Sequence, residues 1–301
     1  MEKKSYFSVG RVARRKDGIA KVTGREIYSS DVTLPNMLHA RVLRSPHPHA
    51  RIVSVDTSEA ERMGALCISY GDIPKMRYNE RQVSIPEKTY RDRTVLPDKV
   101  RHVGEGVVAV AAKTEALAEK ALRSIKVEYE ILPAVFDPFE AMKEGAPRLY
   151  EDVMLGEVTL PIEKNVACAR EVSEGNVEEG FKEADLIVED VFTTGRVYHQ
   201  QMETKSVVCR PEPDGGISVW PTAQSIHNTR QLLGRIFNIP LNKVNVHRVP
   251  IGGAFGSSIQ MNTPIAMLLR SFESIRKMLT AKITATQIAK SSVIPAPPRI
   301  D

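Results

Sequence analysis

Two short segments in the second half of the chain combine residue types that suit ligand binding. Gln224 follows a predicted strand and opens a predicted helix, where unpaired backbone N–H groups favour an anionic or oxo ligand. Its side-chain amide both donates and accepts hydrogen bonds. Further on, the loop from Gly252 to Gly256 contains three glycines, so its backbone can approach a ligand closely, with Phe255 as an apolar plate beside it.

Each segment also has a plain structural explanation. A glutamine at a helix start commonly acts only as a cap, and a glycine-rich loop is commonly only a turn. This loop lacks the Lys-Ser/Thr ending of a P-loop and does not open a helix as a dinucleotide-binding fingerprint does. An unrelated phosphate-binding α/β protein is therefore an alternative, supported by the glycine-rich loop alone.

The elements around these segments predict that the two meet. Ile217 to Trp220 is typical of a strand, Ser225 to Phe237 has helical spacing, and Asn242 to Val249 is typical of a second strand. A strand–helix–strand crossover of this length normally joins parallel strands. Gln224 and the glycine-rich loop should therefore emerge at one edge of the sheet, where ligands of α/β proteins bind.

The first half of the chain predicts a compact α/β unit. The predicted elements of this unit are the strands Asn36 to Arg44, Arg51 to Asp56, Gly106 to Ala112 and Ile125 to Glu130, with a helix from Glu115 to Ser124. Thr114 directly precedes this helix and is placed to cap it.

After this unit the hydrophobic pattern loses its periodicity, from Pro138 to Asn165, which predicts an inter-domain linker. A short helix from Gly175 to Glu183 and strands at Asp185 to Phe192 and Lys205 to Pro211 should follow.

Composition excludes several classes of protein. With 301 residues, 42% hydrophobic and 26% charged, the chain has the make-up of a globular protein of two domains. The net charge of +5 comes from interleaved acidic and basic residues without a basic, aromatic-rich stripe, which argues against nucleic-acid binding. No N-terminal apolar region and no run of about 18 apolar residues occurs, so neither secretion nor a membrane span is expected, and the predicted location is the cytoplasm.

The cysteines and histidines do not form an obvious metal site. Cys67, Cys168 and Cys209 are far apart without a CxxC, so we expect buried thiols and no iron–sulfur or zinc cluster in this chain. Any electron relay would lie on another polypeptide. The pair His47 and His49 has no third ligand nearby and predicts a solvated loop. His199 and Glu203 lie among predicted strands rather than on the helix that a zinc pair would need, and the cluster Arg11, Arg14, Arg15 and Lys16 predicts a solvated or subunit-facing arm.

Ordered landmarks run through the first half of the chain. They are Lys21 to Gly24, Arg44 to Ile52 (RSPHPHARI), Gly71 to Pro74, Val103 to Val107 and Val127 to Pro133. This series resembles the a/b hammerhead domain at the front of molybdenum hydroxylase large subunits, the xanthine dehydrogenase/aldehyde oxidase family.

Landmarks in the second half extend the resemblance to about residues 8–269. Gly175 to Glu178 and the pair Met202 and Glu203 are similar to the start of the family's molybdopterin-binding domain, and Gln224 and Phe255 are 31 positions apart, as the corresponding pair is in the family. The resemblance implies an α/β (α+β) fold: a hammerhead domain over 1–140, a linker over 141–174, the incomplete start of the molybdopterin-binding domain over 175–270 and a divergent tail over 271–301.

The resemblance also implies the chemistry. Gln224 would donate a hydrogen bond to an oxo ligand of the molybdenum without binding the metal directly, and the loop residues would flank the metal and its pterin: Gly252, Gly253, Ala254, Phe255 and Gly256. The reaction would be hydroxylation of an electron-poor carbon with oxygen from water, on a purine, another N-heterocycle or an aldehyde. Iron–sulfur and FAD subunits would accompany the chain, which would carry neither of those cofactors.

The sequence departs from the family in two places. Ser257, Ser258 and Ile259 replace the Gly-Lys-Glu of many purine-oxidising relatives, an ending similar to that of bacterial xanthine dehydrogenase-like subunits. After Leu269 the family's Gly-Arg-Pro-Val segment and catalytic Glu are absent; Phe272, Ile275, Leu279 and Ile283 keep helical spacing, and 291–301 has the composition of a disordered tail.

This ending leaves three explanations: a frame change near Leu269, a designed fragment, or a subunit completed by a second polypeptide. It also leaves an alternative function, a catalytically silent relic or subunit-interaction module without cofactor, so catalysis by this chain is not established. The first strands of the second domain would lack the later segments that they pack against in the family, so their edges and apolar faces would be exposed. This predicts poor solubility or association with other subunits.

Overall fold

The computed structural model of the chain describes residues 12–73, 75–79, 90–166, 169 and 171–258, together with the backbone of 280–284. The strands are β1 (Met37–Arg44), β2 (Ala50–Asp56), β3 (Leu66–Ile68), β4 (Tyr90–Arg91), β5 (Lys99–Val100), β6 (Gly106–Ala112), β7 (Lys126–Ile131), β8 (Asp152–Leu155), β9 (Val158–Pro161), β10 (Ser206–Pro211), β11 (Ile217–Pro221), β12 (Val244–Val246) and β13 (Thr280–Thr284). The α-helices are α1 (Gly18–Val22), α2 (Ser58–Arg62), α3 (Glu115–Ser124), α4 (Pro138–Ala141), α5 (Val177–Glu183) and α6 (Ile226–Phe237).

Seven strands form one mixed sheet in the order β12-β11-β10-β13-β1-β6-β3. Strand β13 joins the two halves of the sheet, because it pairs parallel with β1 and antiparallel with β10. Two smaller sheets flank it, with the orders β5-β2-β7 and β4-β8-β9. The predicted strand–helix–strand of the first half therefore contributes β6 and β7 to two different sheets.

Strand β6 is buried on both faces because each face meets its own apolar core. Ala109 and Ala111 belong to a core shared with α6 and the strands β10 to β12, whereas Val108 and Val110 face a second core under α3. The continuous apolar run in its sequence follows from this position between two layers.

Helix α3 covers the second core. The Thr114 side chain caps it by accepting a hydrogen bond from the Leu117 N–H at 3.2 Å. Ala118, Ala121 and Leu122 form its buried stripe at helical spacing. Arg41 of β1, although nearly buried, pairs with Glu115 in the first turn of the helix, which compensates the cationic side chain for lost water.

Helix α6 makes the crossover that the sequence predicts. Ser225 caps its start, and Asn238 ends it in the left-handed conformation with φ of 51°. Strands β11 and β12 on either side are parallel, with Ile217 opposite Val244 and Val219 opposite Val246. The helix packs its buried apolar side, including Leu233 and Ile236, against this sheet, and each such side chain contributes about 1.5–3 kcal/mol to folding.

Three predictions at the level of elements are wrong or incomplete. Asp185 to Phe192 is not a strand: no described strand lies beside it, and its side chains are exposed. Ile283 lies in strand β13 rather than in a helix, because two neighbouring strands supply its backbone partners; Phe272, Ile275 and Leu279 and the predicted tail at 291–301 lie outside the described residues. The segment predicted as an irregular linker contains α4 and the hairpin of β8 and β9.

Three of the side-chain expectations, for the histidine loop, the cysteines and the basic arm, can be compared with the structure. His49 is buried rather than solvated, because its Nδ1 lies 2.6 Å from the Pro133 carbonyl oxygen. Cys209 is buried, and burial raises the pKa of the half-buried Cys67 to about 12. Arg14, Arg15 and Lys16 are exposed, as predicted, whereas Arg11 and Cys168 lie outside the described residues.

Within the part of the chain that the structure describes, no helix has the length and apolarity needed to cross a membrane. The same residues contain no group of three side chains arranged to hold a metal ion.

Candidate functional site

The predicted ligand-binding segments meet at one edge of the sheet. The backbone N–H of Gln224, after β11, donates to the Ser258 carbonyl oxygen at 2.7 Å, which joins the helix entry to the end of the glycine-rich loop. At the base of the two segments, the rings of Trp220 and His247 stack with centroids 4.3 Å apart, and the His247 N–H donates to the Val219 carbonyl at 2.8 Å. The parallel register therefore brings both segments to the same rim.

Gln224 is not the cap of helix α6. Ser225 takes that role, since its side chain accepts from the Asn228 N–H at 3.4 Å. Gln224 itself is exposed, and no hydrogen bond of its side-chain amide is observed among the described residues. The amide is thus available to a ligand, and the plain-cap explanation does not apply to this residue.

The glycine-rich loop needs its glycines. A Cβ on Gly252 would lie 2.9 Å from the Cβ of Glu203, too close for a real side chain, and Gly253 has φ of 95°, which disfavours any other residue. Phe255 adopts φ of 50° with its side chain 75% exposed, whereas Ala254 is buried. A non-glycine residue in the left-handed region carries strain that the surrounding loop must hold.

Glu203 is a residue that sequence reasoning did not place in the site. Its Oε2 accepts from the Gly252 N–H at 2.6 Å, and its Oε1 accepts from the Thr222 hydroxyl at 3.0 Å. Burial raises the pKa of this carboxyl, and the charge of Asp31 adds to the rise, while the two hydrogen bonds act against it. The sequence did contain a signal for this residue: the pair Met202 and Glu203 is one of the landmarks of the family resemblance, which assigns no role to Glu203.

Several buried polar atoms around the loop have no hydrogen-bond partner among the described residues. They are Ser257 Oγ, Ser258 Oγ and Gln201 Oε1. Buried polar atoms are normally satisfied, so unpaired ones mark a place where a ligand or water completes the structure. A close-packed glycine backbone with unpaired polar atoms at its rim fits a group rich in hydrogen-bonding atoms.

A cleft of about 970 Å³ opens on one side of Gln224. The N-terminal arm and the chain after β12 form its walls. Its lining includes four cationic side chains and two acidic ones, Arg15, Lys16, Lys21, Arg248, Asp17 and Glu26. The excess of positive charge favours an anionic group beside the Gln224 backbone. Phe255 does not line this cleft. The contact that the structure shows between the two segments is the one from Gln224 to Ser258 at the end of the glycine loop.

Comparisons with known proteins assign the chain to a family. The family description "Aldehyde oxidase and xanthine dehydrogenase, a/b hammerhead domain" matches residues 23–133, and "Molybdopterin cofactor-binding domain" matches residues 161–276. A probable xanthine dehydrogenase subunit of Bacillus subtilis is 38% identical over 85% of this chain and 32% of its own length. The nicotinate dehydrogenase large molybdopterin subunit of Eubacterium barkeri is 28% identical over 95% of this chain and 64% of its own.

A solved structure agrees with the sequence matches. Quinoline 2-oxidoreductase from Pseudomonas putida 86 superposes with a TM-score of 0.72 at 27% identity, over 90% of this chain and 34% of that one. The chain spans about a third of the length of the Bacillus and Pseudomonas relatives, and its two matched regions follow each other along the sequence. The chain therefore belongs to the aldehyde oxidase and xanthine dehydrogenase family of molybdenum hydroxylases, with a hammerhead domain followed by a molybdopterin-binding region.

Proposed function

We propose that this chain forms the front part of the molybdopterin-binding large subunit of an oxidative hydroxylase. One observation supports this most strongly: the Gln224 N–H bonded to the Ser258 carbonyl joins the two segments that the family uses around its cofactor. A division into 1–140, a linker at 141–174, and a cofactor-binding region at 175–270 followed by a divergent tail at 271–301 is part of the same proposal. The family matches over residues 23–133 and 161–276 support the order of the two regions, although the second match begins within the proposed linker.

The residues of this chain would hold the cofactor from one side. The free side-chain amide of Gln224 would donate to an oxo group, and the backbone from Gly252 to Gly256 would pack against the pterin. None of these residues is a direct metal ligand. No residue of this sequence is proposed as catalytic.

When bound, the cofactor supplies hydroxylation chemistry with oxygen from water. The residues of this chain would orient it and offer preorganised donors, which stabilise charge that develops during the reaction. The substrate would be an electron-poor carbon of an N-heterocycle or an aldehyde. Relatives named for xanthine, nicotinate and quinoline support the N-heterocycle class.

Electrons would leave through partner subunits that carry iron–sulfur and FAD cofactors, in a complex located in the cytoplasm. The name of one relative, a subunit of the 6-hydroxypseudooxynicotine dehydrogenase complex, supports an assembly of several chains. The second candidate, an interaction module without cofactor, is favoured by the exposed apolar segment between residues 185 and 198.

Metal and pterin analysis separates the two candidates. The chain would be purified from a host that makes molybdenum cofactor, once alone and once co-produced with the remaining two thirds of the Bacillus subtilis relative. We expect close to one molybdenum per chain in the co-produced sample, with a large loss in the Gln224→Ala variant. The absence of molybdenum and pterin from both wild-type samples would contradict the cofactor-binding proposal and support the interaction module.

A further inference from the structure

One carboxylate joins the two halves of the candidate site. Glu203 precedes β10, and its two oxygens reach to opposite sides: Oε1 to Thr222, two residues before Gln224, and Oε2 to Gly252, at the entry of the glycine loop. The loop and the helix entry come from different strands. No backbone hydrogen bond links Thr222 to Gly252 directly, so the Glu203 side chain is the bridge between them.

Both ends of the bridge are themselves fixed. Thr222 is buried, its N–H donates to the Ser206 carbonyl at 2.9 Å, and its Oγ1 accepts from the Ser206 N–H at 3.2 Å. On the other side, the Glu203 N–H donates to the Gly252 carbonyl at 3.1 Å, so Glu203 and Gly252 exchange two hydrogen bonds. The 2.9 Å approach of a Cβ on Gly252 to Glu203 shows how closely the two backbones lie.

We propose that Glu203 is a positioning residue that sets the spacing between the Gln224 segment and the glycine loop. This inference rests on the proposed function only for the purpose of the bridge, because the two segments that Glu203 joins are the proposed cofactor contacts. The bridge itself is a property of the chain. Hydrogen bonds to an ionised carboxylate are about twice as strong as neutral ones, which suits a side chain that must hold two loops at once.

Other ties secure the far end of the loop. The Lys205 ammonium donates to the Ser257 carbonyl, and the Gln224 N–H donates to the Ser258 carbonyl. The charge of Asp31 acts on the Glu203 carboxyl, and two further titratable groups face the end of the loop: Lys205, and His199, whose Nε2 would lie 3.8 Å from a Cβ on Gly256. Loss of Glu203 should therefore loosen the entry of the loop, at Gly252, more than its end.

Hydrogen–deuterium exchange of the chain itself tests the bridge. In Glu203→Ala we expect the Gly252 amide and its neighbours in 251–255 to exchange about 10- to 100-fold faster than in the wild type, because a charge-assisted hydrogen bond is lost. Glu203→Gln keeps one acceptor and the side-chain length, so it should restore part of the protection. Glu212→Gln is the matched control, since that partly buried carboxylate accepts from Arg210 at the other end of the β10–β11 hairpin.

The outcomes separate positioning from general stability. Faster exchange confined to the loop entry, with partial rescue by Gln and no effect of Glu212→Gln, supports the inference; unchanged loop exchange in Glu203→Ala overturns it. If Glu203→Ala accelerates every amide of α6 and β10 to β12 equally, Thr222→Val decides. It removes one of the two partners of the Glu203 side chain and leaves the other, Gly252, in place; its remaining loss is the contact of the hydroxyl with Ser206. A local change in that variant supports the bridge, and no change in the loop overturns it.

A second measurement keeps this inference apart from the proposed function. In the co-produced sample, Glu203→Ala should lower the molybdenum and pterin content at least about tenfold, and Glu203→Gln should recover part of it. If wild-type samples lack cofactor but the exchange pattern is as described, the proposed function fails and the bridge stands. If the wild type binds cofactor and Glu203→Ala contains the same amount, the positioning role is overturned.

Discussion

The region from β1 to β7 and the segment 171–200 contain similar apolar residues but use them in opposite ways. In β6, Val107 to Ala112 are all buried between two cores. In the segment 171–200 every described side chain is exposed, including Leu186, Val188 and Phe192, which are 78%, 80% and 89% accessible. The difference shows that an apolar, β-branched run becomes a strand only where neighbouring strands pair with its backbone and cover its faces.

Limited proteolysis should give the largest contrast between the two regions. Trypsin should cleave after Lys182 or Arg196 roughly a thousandfold faster than at the described sites within 37–131, because cleavage in the exposed segment requires no unfolding of a packed core. Mass spectrometry of a digestion time course measures this. An initial cut inside β1, after Arg41 or Arg44, would contradict the contrast.

Shortening an apolar side chain to alanine should lower the free energy of unfolding by several kcal/mol more in the region from β1 to β7 than in the segment 171–200. Leu96 is fully buried, so Leu96→Ala should lower the free energy of unfolding by about 2–5 kcal/mol. Phe192→Ala removes a larger side chain but should change this free energy by less than about 0.5 kcal/mol, because the ring is already in water. Urea unfolding of both variants tests the pair, and a loss of more than about 2 kcal/mol in Phe192→Ala would show that this segment is packed in solution.

Two helix caps should show the same contrast between the two regions, with a smaller effect on stability. The side chains of Thr114 and Asn176 each accept a hydrogen bond of 3.2 Å from the first turn of their helices, α3 and α5. Thr114→Ala should cost about 1 kcal/mol of global stability, because α3 is part of a core. Asn176→Ala should leave the global value unchanged, since α5 has no buried residue. Equal losses in thermal unfolding would mean that α5 is coupled to the folded core.

The smallest expected effect is a pH dependence at Glu203, which lies just beyond the exposed segment. Burial raises the pKa of its carboxyl above the ordinary value near 4.5, so the folded chain holds a proton that the unfolded chain has already lost. The stabilising contribution is complete below the ordinary pKa and disappears as the pH rises through the raised value.

Relative to Glu203→Gln, the wild type should therefore lose stability as the pH rises from the ordinary carboxyl pKa near 4.5 through the raised pKa of Glu203. Urea unfolding of both proteins at several pH values measures the difference. A wild-type stability that increases across this range relative to the Gln variant would show that the hydrogen bonds to Gly252 and Thr222 outweigh burial.

Much of the fold could be predicted from the sequence, because local signals and tertiary contacts agree there. The strand β6, the Thr114 cap and the crossover through α6 all follow from apolar spacing and capping residues. The prediction that the Gln224 segment and the glycine loop emerge at the same edge of the sheet followed from the expected parallel strands, which the register of β11 and β12 confirms. These are confirmed at the level of elements and contacts; the cofactor role of the residues stays a prediction.

What could not be predicted depends on partners distant in sequence. The segment at Asp185 to Phe192 has the composition of a strand but no neighbour among the described residues, whereas Ile283 has helical spacing but lies between two strands. The bridge at Glu203 depends on two residues 19 and 49 positions away. No local pattern encodes such a contact.

One paired substitution decides whether the glycine loop is a cofactor site. Gly252→Ala places a Cβ 2.9 Å from Glu203, whereas Gly195→Ala meets nothing within 4 Å. In the co-produced sample, we expect Gly252→Ala to lose most of its molybdenum and pterin while its melting transition remains cooperative, and Gly195→Ala to retain the wild-type content. Equal cofactor content in both variants would contradict a cofactor role for the loop.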